Sequence, residues 1–119
     1  MHILLVDDIV INRFIIREFV KGLGHTYKEA ENGSKAIELL QKYDFDLIFL
    51  DIEMPVMNGI ETAKKIRTSF PSPKNKIKIF AITAYNPAVL HEEIDTSNFD
   101  GIVTKPFTFD KIKSIFSSL

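Results

Sequence analysis

A chain of 119 residues has room for one domain with a real hydrophobic core and little room for a second. Its 45% hydrophobic and 26% charged residues are ordinary for a globular protein, while a formal charge of -1 argues against nucleic-acid binding through bulk electrostatics. With no cysteine, there is no disulfide framework, thiolate metal site or thiol nucleophile. No apolar run is long enough to cross a bilayer and no secretory leader precedes the first apolar run, so the expectation is a cytoplasmic protein without membrane attachment.

Short apolar runs alternate with longer amphipathic segments. The first run is Ile3-Leu4-Leu5-Val6, followed by apolar residues at Ile11, Phe14, Ile15 and Phe19 in helical spacing. A second helical stripe, Ile16, Val20 and Leu23, lies beside it and makes this helix more apolar than one buried face requires. A weaker run near Tyr27 to Ala30 precedes a helix opened by Asn32-Gly33, with Ala36, Leu39, Leu40 and Tyr43 on one face. Next come Leu47-Ile48-Phe49-Leu50 and a helix opened by Asn58-Gly59. Pro71-Ser72-Pro73-Lys74-Asn75-Lys76 holds too many breakers to be anything but a loop. The last runs are Ile79-Phe80-Ala81-Ile82 and Ile102-Val103, and a helix bearing Phe109, Ile112, Phe116 and Leu119 ends the chain.

Runs that are continuously apolar suit strands covered on both faces, as in a parallel sheet. The expectation is therefore an α/β domain over residues 1–119, a doubly wound (βα)5 fold with a five-stranded parallel sheet and right-handed crossovers.

Polar residues fall where these runs end, which is where open α/β sheets place ligands. Asp7 and Asp8 follow the first run, Asp51 the third, Thr83 the fourth, and Thr104-Lys105-Pro106 the fifth. Each has a plain explanation alone; Asp8 reads equally well as a helix cap. If the first and third strands are neighbours, about 4.8 Å apart, three carboxylates crowd one small volume. Like charges at that distance raise one another's pKa or recruit a cation. Oxygen ligands without His or Cys suit a hard ion such as Mg2+. Lys105 is placed to neutralise an oxyanion, and Thr83 to donate its hydroxyl to a phosphate oxygen.

The text Leu4-Leu5-Val6-Asp7-Asp8, Leu50-Asp51-Ile52-Glu53-Met54-Pro55-Val56-Met57-Asn58-Gly59, Ala81-Ile82-Thr83-Ala84 and Lys105-Pro106-Phe107 resembles response-regulator receiver domains of two-component signalling, and the resemblance covers essentially the whole chain. It implies the flavodoxin-like strand order 2-1-3-4-5. It also implies Asp51 as phosphoacceptor and a Mg2+ (or Mn2+) site to which Asp8, Asp51 and the backbone carbonyl of Glu53 contribute ligands, with Asp7 ordering metal-bound water. Lys105 would pair with the phosphoryl group, Thr83 would turn toward it, and the Lys105-Pro106 bond would be cis. The phosphoryl donor would be a histidine kinase or histidine phosphotransfer protein approaching beside the first helix, whose extra stripe Ile16, Val20 and Leu23 is either a docking surface or part of a helix tucked deeply into the core; phosphorylation-dependent dimerisation is a further expectation. The domain would assist its own phosphorylation and dephosphorylation without being an enzyme, switching conformation or passing phosphate onward. Asn12-Arg13 resembles receivers of hybrid kinases and phosphorelays.

Two departures bear on the switch. Ile102 stands where many receivers carry an aromatic partner for the threonine, which favours onward phosphotransfer or modest loop shifts over an aromatic flip. Glu53 and Tyr85 flank the path of attacking water implied by the family, and either tunes phosphate lifetime or is a plain surface residue. Rival readings are a phosphate-independent binding module, an aspartyl-phosphate phosphatase and a flavin-binding protein. The phosphatase would need an Asp where Glu53 stands, and flavin binding a Gly-rich phosphate loop that the chain lacks.

Overall fold

The computed structural model describes residues 1–54, 57–84 and 95–119. Five strands, β1 (His2–Val6), β2 (Thr26–Ala30), β3 (Leu47–Asp51), β4 (Lys78–Thr83) and β5 (Gly101–Thr104), form one sheet in the order β2-β1-β3-β4-β5. Every neighbouring pair is parallel. Four helices are described: α1 (Val10–Gly22), α2 (Gly33–Lys42), α3 (Gly59–Ser69) and α4 (Phe109–Ser118), with a 3-10 turn at Lys74–Lys76. The helix expected between β4 and β5 falls on residues 85–94, outside the described residues.

Alternation along each strand divides the core between the two sheet faces. Leu4, Val6, Ile48, Leu50 and Ile79 pack with Ala36, Ile37 and Leu40 of α2 and Ala63 and Ile66 of α3. Ile3, Leu5, Leu47, Phe49 and Ile82 pack with Ile16 and Val20 of α1 and Ile112 of α4. β3, at the centre, is buried at all five positions, which explains its unbroken apolar text. β2, at the edge, is only half-buried, and its signal is correspondingly weak.

The caps at Asn32 and Asn58 are as expected: their side chains accept from Lys35 N at 2.8 Å and Glu61 N at 2.9 Å. The face chosen by α1 is different. Ile16 and Val20 are fully buried, whereas Ile11 and Phe14, from the stripe read first, are exposed. Apolar residues surround much of this helix, so periodicity does not select the face; contact with Ile3, Leu5 and Phe49 does. Asp8 does not cap α1, whose N-cap is Ile9 with no side-chain hydrogen bond. The Lys105-Pro106 peptide is cis, as the resemblance implies, and so is Ser72-Pro73.

At the sheet end remote from the acidic residues, one side chain ties four segments together. Arg67, in the last turn of α3, donates from Nε and Nη2 to Asn98 O at 3.1 and 2.9 Å. Its Nη1 donates to Asn75 O at 2.9 Å and Ile77 O at 2.6 Å, and Nη2 also reaches Asp100 Oδ2 at 3.1 Å. Asp100 in turn accepts from Ile79 N at 2.8 Å, locking the start of β4. A planar fork with five donors is needed here, and an ammonium cannot reproduce it. Arg67→Met should therefore lose about 3 kcal/mol of stability in urea unfolding, with Arg67→Lys recovering less than half of it. A loss near zero in Arg67→Met would show that the clamp is ornamental.

Candidate functional site

Strand register brings the acidic residues together. Val6 lies opposite Leu50 in the β1–β3 pair, so Asp7 and Asp51 emerge from adjacent strands side by side. On the other side of β3, Asp51 lies opposite Ile82, which places Thr83 at the same rim. One carboxylate oxygen from each of Asp7, Asp8 and Asp51 lies within 4.8 Å of the others. Asp7 and Asp51 are each 1% exposed, while Asp8 stands at the mouth, open to solvent.

The backbone holds these side chains in short turns. Asp7 Oδ1 accepts from Ile9 N at 2.9 Å, and Asp51 Oδ1 accepts from Glu53 N at 3.0 Å. Asp7 Oδ2 is buried and has no hydrogen-bond partner among the described residues. Asp51 Oδ2 is 4.0 Å from the Lys105 ammonium. The loop carrying Lys105 is braced by Lys111, whose Nζ donates to Thr104 O at 3.1 Å and Pro106 O at 3.0 Å, on either side of it. Beneath Asp51 the start of α3 comes so close that a Cβ on Gly59 would sit 2.3 Å from the Asp51 carbonyl oxygen. Only glycine fits there.

Thr83 is buried, and its hydroxyl donates to Glu53 Oε1 at 3.3 Å across the rim. Glu53 thus enters the site through its amide, on Asp51, and through its carboxylate, on Thr83. Ile102 is half-buried and packs on the cluster of Ile52 and Ala81 beside Phe99 and Ile60. Tyr85 lies outside the described residues.

Two contributors stand outside the motifs. Nothing in an Asn-Gly dipeptide tells which backbone Gly59 will touch. Arg13, which the motif resemblance pairs only with Asn12, donates from Nη1 to the Asp7 carbonyl at 2.6 Å. A cation near the start of a helix that follows an acidic pair is the available signal.

Burial, followed by the neighbouring Asp7 charge, pushes the Asp51 pKa from 3.8 up to about 7, against the lowering effects of the Glu53 amide and Lys105. Burial likewise raises Asp7. Two buried carboxylates facing one ammonium leave uncompensated negative charge, a buried oxygen lacks a partner, and all the donors are oxygens. This donor set fits a hard divalent ion such as Mg2+.

The raised pKa has a consequence for stability. In the metal-free protein the folded state holds the Asp51 proton more tightly than the unfolded chain, so the contribution of this group to stability is fully present below about pH 4 and is lost as pH rises toward about 7. Asn at this position is neutral throughout. In EDTA, the stability advantage of Asp51→Asn over wild type should widen from pH 5 to pH 8, as read by urea unfolding. An identical offset at both pH values would mean that Asp51 ionises without strain.

The resemblance read from the motifs is supported by direct comparison. Residues 3–117 match the model of the response regulator receiver domain. The chain is 32% identical to chemotaxis protein CheY of Halobacterium salinarum, covering 99% of this chain and 95% of that protein. It is 30% identical to histidine kinase 5 of Arabidopsis thaliana over 93% of its own length, but spans only 15% of that longer protein. Among solved structures, the response regulator TrrA of Thermotoga maritima, in complex with Mg(2+)-BeF, superposes with a TM-score of 0.85 at 33% identity, covering 98% of this chain and 96% of that one. The fold, the acidic cluster and these relationships agree: the chain belongs to the response regulator receiver domain family of two-component and phosphorelay signalling.

Proposed function

We propose that residues 1–119 act as one phosphoacceptor domain in which Asp51 takes a phosphoryl group from a phosphohistidine on a histidine kinase or histidine phosphotransfer protein. The observation that carries this reading is the gathering of Asp7, Asp8 and Asp51 within 4.8 Å, with the Lys105 ammonium 4.0 Å from Asp51. Asp7, Asp8, Asp51 and the Glu53 carbonyl would hold Mg2+ (or Mn2+). When bound, the ion supplies positive charge to the phosphoryl oxygens and screens the carboxylates from one another.

Asp51 Oδ1 is engaged by the Glu53 amide, which leaves Oδ2, on the Lys105 side, as the attacking oxygen. An Oδ2–phosphorus bond forms as the phosphorus–nitrogen bond breaks; the donor ring, already protonated on its other nitrogen, takes the bonding pair and leaves as neutral imidazole. Lys105 then pairs with a phosphoryl oxygen, so catalysis rests on position and charge compensation rather than on an acid or base. This is the chemistry of a phosphoacceptor, not of an enzyme turning over a separate substrate. The phosphatase reading is weakened further because the residue two after Asp51, Glu53, already receives the Thr83 hydroxyl.

The donor's approach is marked by an apolar patch at the start of α1. Ile9, Val10, Ile11 and Phe14 are all exposed, and they adjoin the acidic pair. A histidine-bearing helix laid on this patch would bring its imidazole over Asp51. Ile102, aliphatic and packed against Ile52 and Ala81, supports a small loop rearrangement or onward phosphotransfer as the readout.

The direct test is acetyl phosphate with Mg2+, followed by intact-protein mass. Wild type should gain one phosphoryl group and Asp51→Asn none; equal labelling of both would sink the assignment. A second expectation concerns Glu53. For Thr83 to reach a phosphoryl oxygen, its bond to Glu53 must break, and the Glu53 carboxylate also repels the incoming group. Glu53→Ala should therefore raise the steady-state phosphorylated fraction, with the ratio of phosphorylated to free protein increasing about threefold, equivalent to one weak hydrogen bond. A fall in that ratio would assign Glu53 a helping role instead.

A further inference from the structure

Arg13 lies in the first turns of α1, where the positive end of the helix dipole disfavours a cation. Its side chain turns back under the helix start. Nη1 donates to the carbonyl of Asp7 at 2.6 Å, and Nε to Glu29 Oε1, on β2, at 3.3 Å. Arg17, one turn later, donates to the other oxygen of the same carboxylate at 3.1 Å. Glu29 is thus gripped by two guanidinium groups and fixes Arg13 in return. The Arg13 side chain is only 16% exposed, so this contact is not a loose surface pair.

What Arg13 fixes is the peptide joining Asp7 to Asp8. The Asp7 amide donates to Ala30 O at 3.2 Å, its Oδ1 is held by Ile9 N, and its carbonyl is held by Arg13. With these three secured the Asp7 carboxylate is held in place, one of its oxygens lies within 4.8 Å of oxygens of Asp8 and Asp51, and its Oδ2 has no hydrogen-bond partner among the described residues. Asp8 has no such support: it is exposed and does not cap α1. Its direction therefore depends on the plane of the peptide that precedes it, and Arg13 sets that plane.

We infer that Arg13 is a positioning residue for divalent-ion binding, holding the Asp7-Asp8 peptide so that both carboxylates converge on the site, with Glu29 as its anchor. The inference rests on the proposed Mg2+ site. Charge and position predict opposite results for the removal of Arg13. Arg13 carries a positive charge near a cation site, so on Coulomb grounds alone its removal should tighten Mg2+ binding. If it acts by position, removal should weaken binding, and outer-shell groups of this kind are worth about tenfold in metal affinity.

The experiment is Mg2+ titration by calorimetry on wild type, Arg13→Met, Glu29→Gln and Arg17→Met, with thermal unfolding of each. We expect Arg13→Met to raise the Kd for Mg2+ about tenfold and Glu29→Gln to raise it less. Arg17→Met, which removes the same charge from the same cluster without touching Asp7, should leave binding unchanged or slightly tighter. An unchanged or lowered Kd in Arg13→Met overturns the inference while leaving the functional reading in place, as does a loss in Arg17→Met as large as that in Arg13→Met. If Arg13→Met does not fold, an unchanged Kd in Glu29→Gln overturns it. A wild type that binds no Mg2+ overturns the functional reading and this inference together.

Discussion

Two carboxylates buried side by side at the end of an apolar sheet are the constraint on which this molecule turns. Asp7 and Asp51 leave adjacent strands at matched register, nearly sealed from water; burial raises the cost of ionising both, and the Asp7 charge raises it further for Asp51. A pair of this kind has few stable outcomes. It can hold a proton, hold a cation, or keep a neighbouring cation close, and the site is built to use the last two. Lys105 supplies one positive charge at 4.0 Å, which does not balance two buried carboxylates and a third at the mouth. The remaining imbalance is what the proposed divalent ion, and with it the oxygens of a phosphoryl group, would balance.

The rest of the fold keeps that strained pair from relaxing. Dense apolar packing on both sheet faces fixes the strands, the start of α3 presses on Asp51 through Gly59, and short backbone turns at Ile9 and Glu53 orient the carboxylates. At the opposite end, Arg67 closes the loops that would otherwise let β4 and β5 shift. At the rim the contacts are polar. Thr83 shares a proton with the exposed Glu53, and Lys105 sits on a loop braced from α4. Rigidity below and exchangeable polar contacts above suit the proposed switch, because a change at the site would then be confined to the rim.

Much of this was legible in the residues, for a physical reason. Strands covered on both faces must be apolar throughout, so Leu47 to Leu50 announces a central parallel strand, and the polar residue that ends it announces the site. β2 is harder to read because an edge strand half open to solvent tolerates Thr26, Lys28 and Glu29. The buried face of α1 could not be read, since Ile11 and Phe14 are as apolar as Ile16 and Val20 and only contact with the sheet decides between them. Nor could Asp8 be freed of its capping role before the structure showed Ile9 at that position. The links from Thr83 to Glu53 and from Arg13 to Asp7 join residues whose proximity depends on register and side-chain reach, which no local pattern encodes.

The central claim is that Asp51 is held near its pKa by Asp7 and by burial until a cation arrives. Mg2+ binding measured by calorimetry at pH 6 and pH 8, in buffers of different ionisation enthalpy, tests it most directly. With an Asp51 pKa of about 7, binding at pH 6 should release close to one proton, and the affinity should be about tenfold lower than at pH 8. Equal affinities at the two pH values with no proton released would contradict the account, because the carboxylates would then be fully ionised and at ease without the ion.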